Sequence, residues 1–213
     1  MARASGALIQ AGTVGTALFV AVSTVLTATR AGYDPVRHFV SILSLGDGGW
    51  VQVVNFVAGG LLMAGLGVGL GLRWRSRPGA GAIPRLVTIA GLGLVGCGVF
   101  IPDPSLGYPP GTPDVLVTPL TWHGALHYAC ATVILVALTA AVLLAIRRRG
   151  TIGLRGLTAA SIGVAATVLV GCGAALLLSG MPPTEIVGLT ERIGIYAGWT
   201  WLVLLGLLEL RSN

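Results

Sequence analysis

Residues 122–149 read WHGALHYACATVILVALTAAVLLAIRRR. Residues 122–146 contain no Asp, Glu, Lys or Arg, and three arginines follow directly. A helix needs about 20 mainly apolar residues to cross the hydrocarbon core of a bilayer. Inside that core every backbone amide has to be paired within the segment, which a helix achieves. The stretch therefore predicts a transmembrane helix that ends at a cationic boundary.

Five further apolar runs have the same character, near residues 7–29, 51–72, 84–101, 155–179 and 188–210. The chain of 213 residues is 54% hydrophobic and 9% charged, whereas a soluble domain carries roughly 25% charged residues. Run 7–29 predicts a retained helix, because it is longer than the apolar core of a secretory signal. We expect an all-α polytopic transmembrane helical bundle of about six helices, with residues 1–213 forming one domain. We interpret the 33 glycines as residues that let the helix backbones approach closely in lipid.

The arginines indicate the orientation of this bundle. All 13 basic residues are arginine, and most flank the apolar runs. Ten fall on one side of the predicted membrane, which the positive-inside rule makes cytoplasmic, together with both termini. We expect a multi-pass membrane protein, with the lipid bilayer as its surroundings. The net charge of +6 follows from topology, so nucleic acid is not an expected partner.

Six of the seven acids and all three histidines fall on the opposite, non-cytoplasmic side of the predicted membrane. Asp34 precedes Pro35, as at a helix start, and His38 follows four residues later, within reach of the same face. An acid so placed can fix a histidine tautomer and raise its basicity. The alternative is a capped amphipathic connector with a solvated histidine.

Polar residues lie just before and just after the start of the second apolar run. Asp47 lies in a glycine-rich turn that ends at Trp50. Gln52 and Asn55 follow three residues apart, at a depth where polar groups face protein or water rather than lipid. They suit either a substrate site or hydrogen bonding between helices.

The longest outer loop, residues 102–121, is rich in proline and carries Asp103 at its start. Proline fixes φ, so the loop is expected to be shaped in advance, either as a lid or as a plain connector. After the loop, His123 and His127 lie four residues apart on one helical face, a spacing used for metal pairs and for proton relays. With His38 they would supply three ligands. The alternatives to metal binding by these histidines are acid–base catalysis and structural hydrogen bonding.

Three resemblances accompany these residues. Blocks 33–56, 99–112, 122–127 and 191–205 resemble those of a bacterial six-span integral-membrane family, domain of unknown function 998. That family is distantly similar to eukaryotic six-span proteins of the lipid-remodelling and autophagy-modulator type, which share a histidine at the outer start of a middle span. The resemblance implies the fold and topology and no particular activity.

A partial likeness exists to alkaline-ceramidase-type membrane hydrolases, whose zinc site combines Ser, Asp, His and an HxxxH pair. Ser41 or Ser44, Asp47 and the histidines supply these types, although that family has seven spans with HxxxH on the last. The chain also resembles small membrane-bound terpene cyclases in size, topology and intramembrane acids. In that family, acids protonate a polyprenyl group inside a helical bundle.

We therefore expect a membrane enzyme that acts on a lipid or isoprenoid by acid–base chemistry at the non-cytoplasmic end of the bundle. Protonation-initiated terpenoid cyclisation and metal-assisted lipid hydrolysis are the two versions. The alternative is a non-catalytic lipid-binding, transport or scaffold protein. No cofactor is implied beyond a divalent metal on His38, His123 and His127. The catalytic candidates are Asp34, His38, Asp47, Asp103, His123, His127 and Glu191. Five of them are expected to converge in one outer pocket: Asp34, His38, Asp47, His123 and His127. The candidates for substrate binding are Tyr33, Arg37, Trp50, Gln52, Asn55, Trp122 and Arg192.

Overall fold

The computed structural model describes residues 2–77, 81–148, 157, 161–163 and 186–211. Five long helices lie in these ranges, and each is long and apolar enough to cross a membrane. They are α1 (Ala2–Thr29), α2 (Trp50–Arg73), α3 (Ala82–Val99), α4 (Trp122–Arg147) and α5 (Val187–Arg211). A short 3-10 helix, Val40–Ser44, precedes α2. The predicted helical membrane bundle is confirmed, and the chain is a multi-pass membrane protein.

Helix α5 corresponds to the sixth predicted run. The fifth run, residues 155–179, lies almost wholly outside the described residues. The first four runs agree with α1 to α4 within a few residues. Each apolar run predicts a helix, because a segment that crosses the bilayer must pair its backbone hydrogen-bonding groups internally.

Glycines set the distances between the helices. Helix α1 packs between α2 and α5, and α3 packs between α2 and α4. A methyl group added at Gly60 of α2 would lie 2.6 Å from the carbonyl oxygen of Gly91, and one added at Gly91 would lie 2.4 Å from the Ala64 nitrogen. The backbones of α2 and α3 therefore touch, as small residues allow in lipid. The interpretation of the glycines as packing residues is confirmed here.

One end of the bundle is cationic, and we call it the arginine-rich end. Arg73 and Arg77 lie where α2 finishes, and Arg77 pairs with Glu209 of α5 at 2.7 Å. Arg73 donates to the backbone oxygen of Glu209. These contacts join the end of α2 to the end of α5.

The opposite end of the bundle, which we call the loop end, is covered by two segments that contact each other. We call residues 33–45 the strap and residues 101–121 the outer loop. The strap accepts a hydrogen bond from Leu189 of α5 at the Val36 oxygen, over 2.9 Å. It also forms a salt bridge of 2.7 Å between Arg37 and Asp114 of the outer loop. The strap thus joins the start of α5 to the outer loop.

Candidate functional site: an apolar cavity with three ionisable groups

A cavity of about 570 Å³ lies inside the bundle below the loop end. This volume falls within the range of small-molecule sites, about 300–1,000 Å³. Its described walls come from all five helices, the strap and the outer loop. Aromatic rings are prominent among them: Phe19, Phe39, Phe56, Tyr128 and Trp199. The cavity is therefore lined mainly by apolar side chains, with aromatic rings on several sides.

Three of the predicted catalytic candidates line this cavity: Asp103, His127 and Glu191. They come from the outer loop, α4 and α5 respectively, so only the tertiary structure brings them to one space. The other four predicted catalytic residues do not line it. The expected convergence of Asp34, His38, Asp47, His123 and His127 in one pocket is therefore wrong.

Asp103 caps α4 from outside the helix. Its two carboxylate oxygens accept hydrogen bonds from the backbone N–H and the hydroxyl of Thr121, over 2.9 and 2.6 Å. The Thr121 hydroxyl in turn accepts from the Gly124 N–H at 3.2 Å, as an N-cap residue does. A methyl group at Gly124 would lie 2.1 Å from the carboxylate, so the glycine makes room for it. Asp103 thus sits at the positive end of the α4 dipole.

Glu191 stands in the first turns of α5 and reaches the strap. Its Oε2 accepts a hydrogen bond from the Val40 N–H over 2.8 Å. No other described residue forms a hydrogen bond with this carboxyl group. One oxygen is therefore committed to positioning, and Oε1 remains available to a molecule in the cavity.

His127 is buried and held by backbone carbonyls. Its Nδ1 lies 2.7 Å from the Phe100 oxygen and 3.2 Å from the Cys97 oxygen. Because both partners are acceptors, Nδ1 carries the hydrogen and Nε2 carries the lone pair. Nε2 has no hydrogen-bond partner within the described part of the chain. This is the arrangement in which a histidine can accept a proton.

Two further buried polar atoms at the cavity lack a hydrogen-bond partner among the described residues. The Ser105 hydroxyl and the Trp199 indole nitrogen are buried, line the cavity, and form no hydrogen bond with any described residue. Leaving such a group unsatisfied costs about 1–3 kcal/mol. A polar group of a bound molecule would remove that cost.

His38 lies outside the cavity and serves the loop end. Its Nδ1 accepts a hydrogen bond from the Asp34 backbone N–H at 2.9 Å, and its Nε2 donates to the Leu106 oxygen at 2.9 Å. The Asp34 carboxylate instead accepts from the Val36 N–H at 2.8 Å. The expected pairing of this carboxylate with the imidazole is wrong, because the carboxylate closes its own turn. Both ring nitrogens are therefore used: Nδ1 within the strap, and Nε2 in joining the strap to the outer loop.

Four other candidates are exposed at the loop end. Asp47 is on the surface of its turn, and His123 is exposed with its ring stacked on Trp122, centroids 3.5 Å apart. Trp50 and Trp122, at the starts of α2 and α4, are 69% and 65% exposed. The tryptophans were expected to wall the site, but they point outward, as aromatic residues do at a membrane interface.

The three histidines are not assembled as ligands. His38 spends both nitrogens on backbone groups, and His123 is exposed. Within the described residues, no group of three or more His, Cys, Asp or Glu side chains is placed to hold a metal ion. The three-histidine hypothesis is therefore wrong for His38 and His123.

Gln52 and Asn55 bond α2 to α1. The Asn55 amide donates to the Phe19 oxygen and the Ser23 hydroxyl, each over 3.1 Å. Gln52 is fully buried and lies 3.4 Å from the same hydroxyl. Neither residue lines the cavity, so the structure favours their role between helices over substrate binding.

The two arginines predicted to bind substrate have protein partners. Arg37 pairs with Asp114, as described above. Arg192 is buried beneath the strap and donates to the Tyr33 hydroxyl over 2.6 Å and the Thr27 hydroxyl over 3.0 Å. Burial raises the pKa of Tyr33 above its ordinary value, against the opposing effect of Arg192. Burial likewise raises the pKa of Tyr108, whose ring packs against Tyr33.

Sequence reasoning missed Thr121 and the aromatic walls. Thr121 was detectable, because a threonine directly before an apolar helical run is an N-cap signal. The aromatic residues were not, since they occur singly on five elements and carry no common motif. Their shared cavity is a product of helix packing.

Comparison with known proteins identifies the family of the chain. No curated protein and no solved structure matches it. The model of a family described as "Protein of unknown function (DUF998)" matches residues 13–208. Since the match covers most of the 213 residues, the chain belongs to the DUF998 family.

Proposed function

We propose that this protein is a membrane enzyme that acts on a lipid or isoprenoid by acid–base chemistry in the cavity at the loop end. One observation carries the proposal. An apolar, aromatic cavity holds a carboxyl oxygen, a histidine nitrogen and two buried polar atoms that have no hydrogen-bond partner among the described residues. A purely structural cavity in lipid would be expected to satisfy or omit these groups.

Protonation-initiated isoprenoid cyclisation is the version that these groups support best. Glu191 would donate its proton from Oε1 to a carbon–carbon double bond, leaving a carbocation on the substrate. The aromatic walls would stabilise that cation, because the ring faces are negative. His127 would then take a proton from the cyclised cation at Nε2, so that a new double bond forms and the mass of the substrate is unchanged. Return of a proton from His127 to Glu191 through solvent completes the cycle.

Metal-assisted hydrolysis has less support, because the donor set at the cavity does not suit it. Asp103 spends both oxygens on Thr121. Glu191, His127 and Cys97 also line the cavity, but no three His, Cys, Asp or Glu side chains of the described residues are grouped to hold a metal ion. A catalytic zinc site uses three protein ligands.

The alternative function is non-catalytic lipid binding, transport or a scaffold role. One observation favours it: the Asp103 carboxylate caps α4, which is a structural role. In this version the cavity holds a lipid without changing it. A bacterial cytoplasmic membrane is the proposed location for either function.

Product analysis tests the proposal. The full chain in phosphatidylcholine nanodiscs would be incubated with all-trans polyprenyl alcohols or with a mixed phospholipid extract, and products separated by mass spectrometry. We expect a mass-conserving isomer of a polyprenyl probe, formed by the wild type and absent with Glu191→Gln. Retention of the probe without any product would assign the cavity to lipid binding. Cleavage of a phospholipid into two fragments, whose masses add up to that of the substrate plus one water, would favour hydrolysis.

A further inference from the structure

A second cavity lies at the arginine-rich end, remote from the loop end. It is a groove of about 600 Å³ between the last turns of α2 and the first turns of α3. We call it the inner groove. The charged residues that line it are all cationic: Arg75, Arg77 and Arg85. No acidic residue is among its described lining residues, so the groove attracts anions.

The neighbouring acid does not cancel this charge. Glu209 engages Arg77 through both carboxylate oxygens, over 2.7 and 3.3 Å. Arg85 is exposed, and it forms no ion pair or hydrogen bond with another described residue. A positive charge therefore remains at the mouth of the groove after Arg77 has been neutralised.

Trp74 supplies a buried donor beside this charge. Its side chain is 2% exposed and lines the groove, yet its indole nitrogen has no hydrogen-bond partner among the described residues. The Arg77 guanidinium lies over its ring, 5.2 Å from the centroid, which holds the indole in place. Burial of an unbonded N–H is costly. An acceptor oxygen bound in the groove would satisfy it.

The groove continues from its cationic mouth onto the lipid-facing surface of α2. Gly67 and Gly71 line its floor, and Val68, also a lining residue, is 47% exposed on a membrane-spanning helix. A free anion would use only the cationic mouth. A molecule with an anionic head and an apolar tail would use both parts.

We propose that the inner groove binds the phosphate group of an anionic phospholipid, with its acyl chain lying along Val68. Phosphate oxygens accept well from arginine and from fixed N–H donors. Basic pockets between transmembrane helices on the cytoplasmic side are suited to anionic headgroups. The arginine distribution predicts this end to be cytoplasmic. Membrane orientation by itself would explain the arginines at this end. It would not explain a groove beside them, or a buried Trp74 indole N–H that has no hydrogen-bond partner among the described residues.

The test is lipid titration of the full chain in phosphatidylcholine nanodiscs, with phosphatidylglycerol as the probe and native mass spectrometry of bound lipid as the readout. Arg85→Gln and Trp74→Phe remove one charge and one N–H. Arg147→Gln is the matched control, since Arg147 is an exposed arginine at the end of α4. We expect Arg85→Gln to weaken phosphatidylglycerol binding by about tenfold, the loss of one charge-assisted hydrogen bond. Trp74→Phe should weaken it less, and Arg147→Gln should leave it unchanged.

Two results would overturn the proposal. Equal weakening by Arg85→Gln and Arg147→Gln would mean that the lipid responds to overall charge and not to the groove. Competition by inorganic phosphate that displaces all bound phosphatidylglycerol at equal concentration would assign the groove to a free anion. Both readouts are independent of any activity at the loop end.

Discussion

Oε2 of Glu191 accepts a hydrogen bond from the backbone N–H of Val40 over 2.8 Å, across 151 positions of sequence. This bond fixes the start of α5 to the strap and orients the carboxyl group at the wall of the cavity. The same side chain therefore has a structural and a proposed chemical role. Two substitutions at this position separate them.

Glu191→Gln retains a carbonyl oxygen that can accept from Val40, but it has no ionisable proton. We expect it to abolish turnover of a polyprenyl probe while the melting temperature stays close to that of the wild type. Glu191→Ala removes the acceptor as well, and should cost about 1–3 kcal/mol because the Val40 N–H loses its partner. Thermal melting and product formation are measured side by side. If Glu191→Gln lowers stability as much as Glu191→Ala, the carboxyl group is structural and the enzyme proposal loses its proton donor.

Tyr33→Phe should destabilise the loop end. The Tyr33 hydroxyl accepts from Arg192 and lies 3.0 Å from the oxygens of His38 and Phe39, to one of which it donates. Its removal leaves a buried guanidinium short of one partner, which costs about 1–3 kcal/mol. Tyr108→Phe is the matched control, because the Tyr108 hydroxyl forms no hydrogen bond with another described residue. Equal loss of melting temperature in the two variants would contradict this account of Arg192.

The same tyrosines predict an alkaline limit of stability. A raised pKa means that the folded protein holds the phenolic proton more tightly than the unfolded chain does. The contribution to stability is then complete below the ordinary tyrosine pKa of about 10 and is lost as the pH rises above it. Melting temperature followed across the alkaline range should fall less steeply in Tyr33→Phe than in the wild type. An unchanged slope in that variant would argue against proton linkage at Tyr33.

Gly60→Ala should disrupt the contact between α2 and α3. The added methyl group would meet the Gly91 oxygen and the Val95 nitrogen at 2.6 Å, and backbone atoms cannot move aside cheaply. Overpacking of this kind costs about 1–3 kcal/mol. Gly65→Ala is the control on the same helix, since its methyl group would have its nearest neighbour at 3.7 Å. Stability in detergent against a chemical denaturant should fall for the first variant and not for the second.

The two ends of the bundle should face opposite compartments. Single cysteines at position 77, at the arginine-rich end, and at position 110, in the outer loop, would be treated with a membrane-impermeant thiol reagent in intact cells. These variants would be made in a background without the native cysteines. We expect labelling at position 110 only, since the positive-inside rule places position 77 in the cytoplasm. Labelling at both positions, or at position 77 alone, would overturn the predicted orientation.

Much of the fold was predictable from local patterns. Long uncharged runs gave the helices of the described residues, since lipid leaves no alternative for an apolar segment of that length. Glycine frequency indicated close helix contacts, as at Gly60 and Gly91. The candidate site was predicted only in part, because Asp103, His127 and Glu191 were named together with four residues that lie elsewhere.

The sequence by itself determined which segments enter the membrane and which end of the bundle collects the acids and histidines, because both depend on local composition. It did not determine which of those side chains share a space. His123 and His127 have the same helical spacing as a ligand pair, yet the first turn of α4 leaves His123 exposed against Trp122, while His127 is buried under Phe100. His38 bonds to Leu106 and Glu191 to Val40, contacts that depend on how the strap and outer loop close over the bundle. Such closure is set by packing between segments distant in sequence, and no local periodicity encodes it.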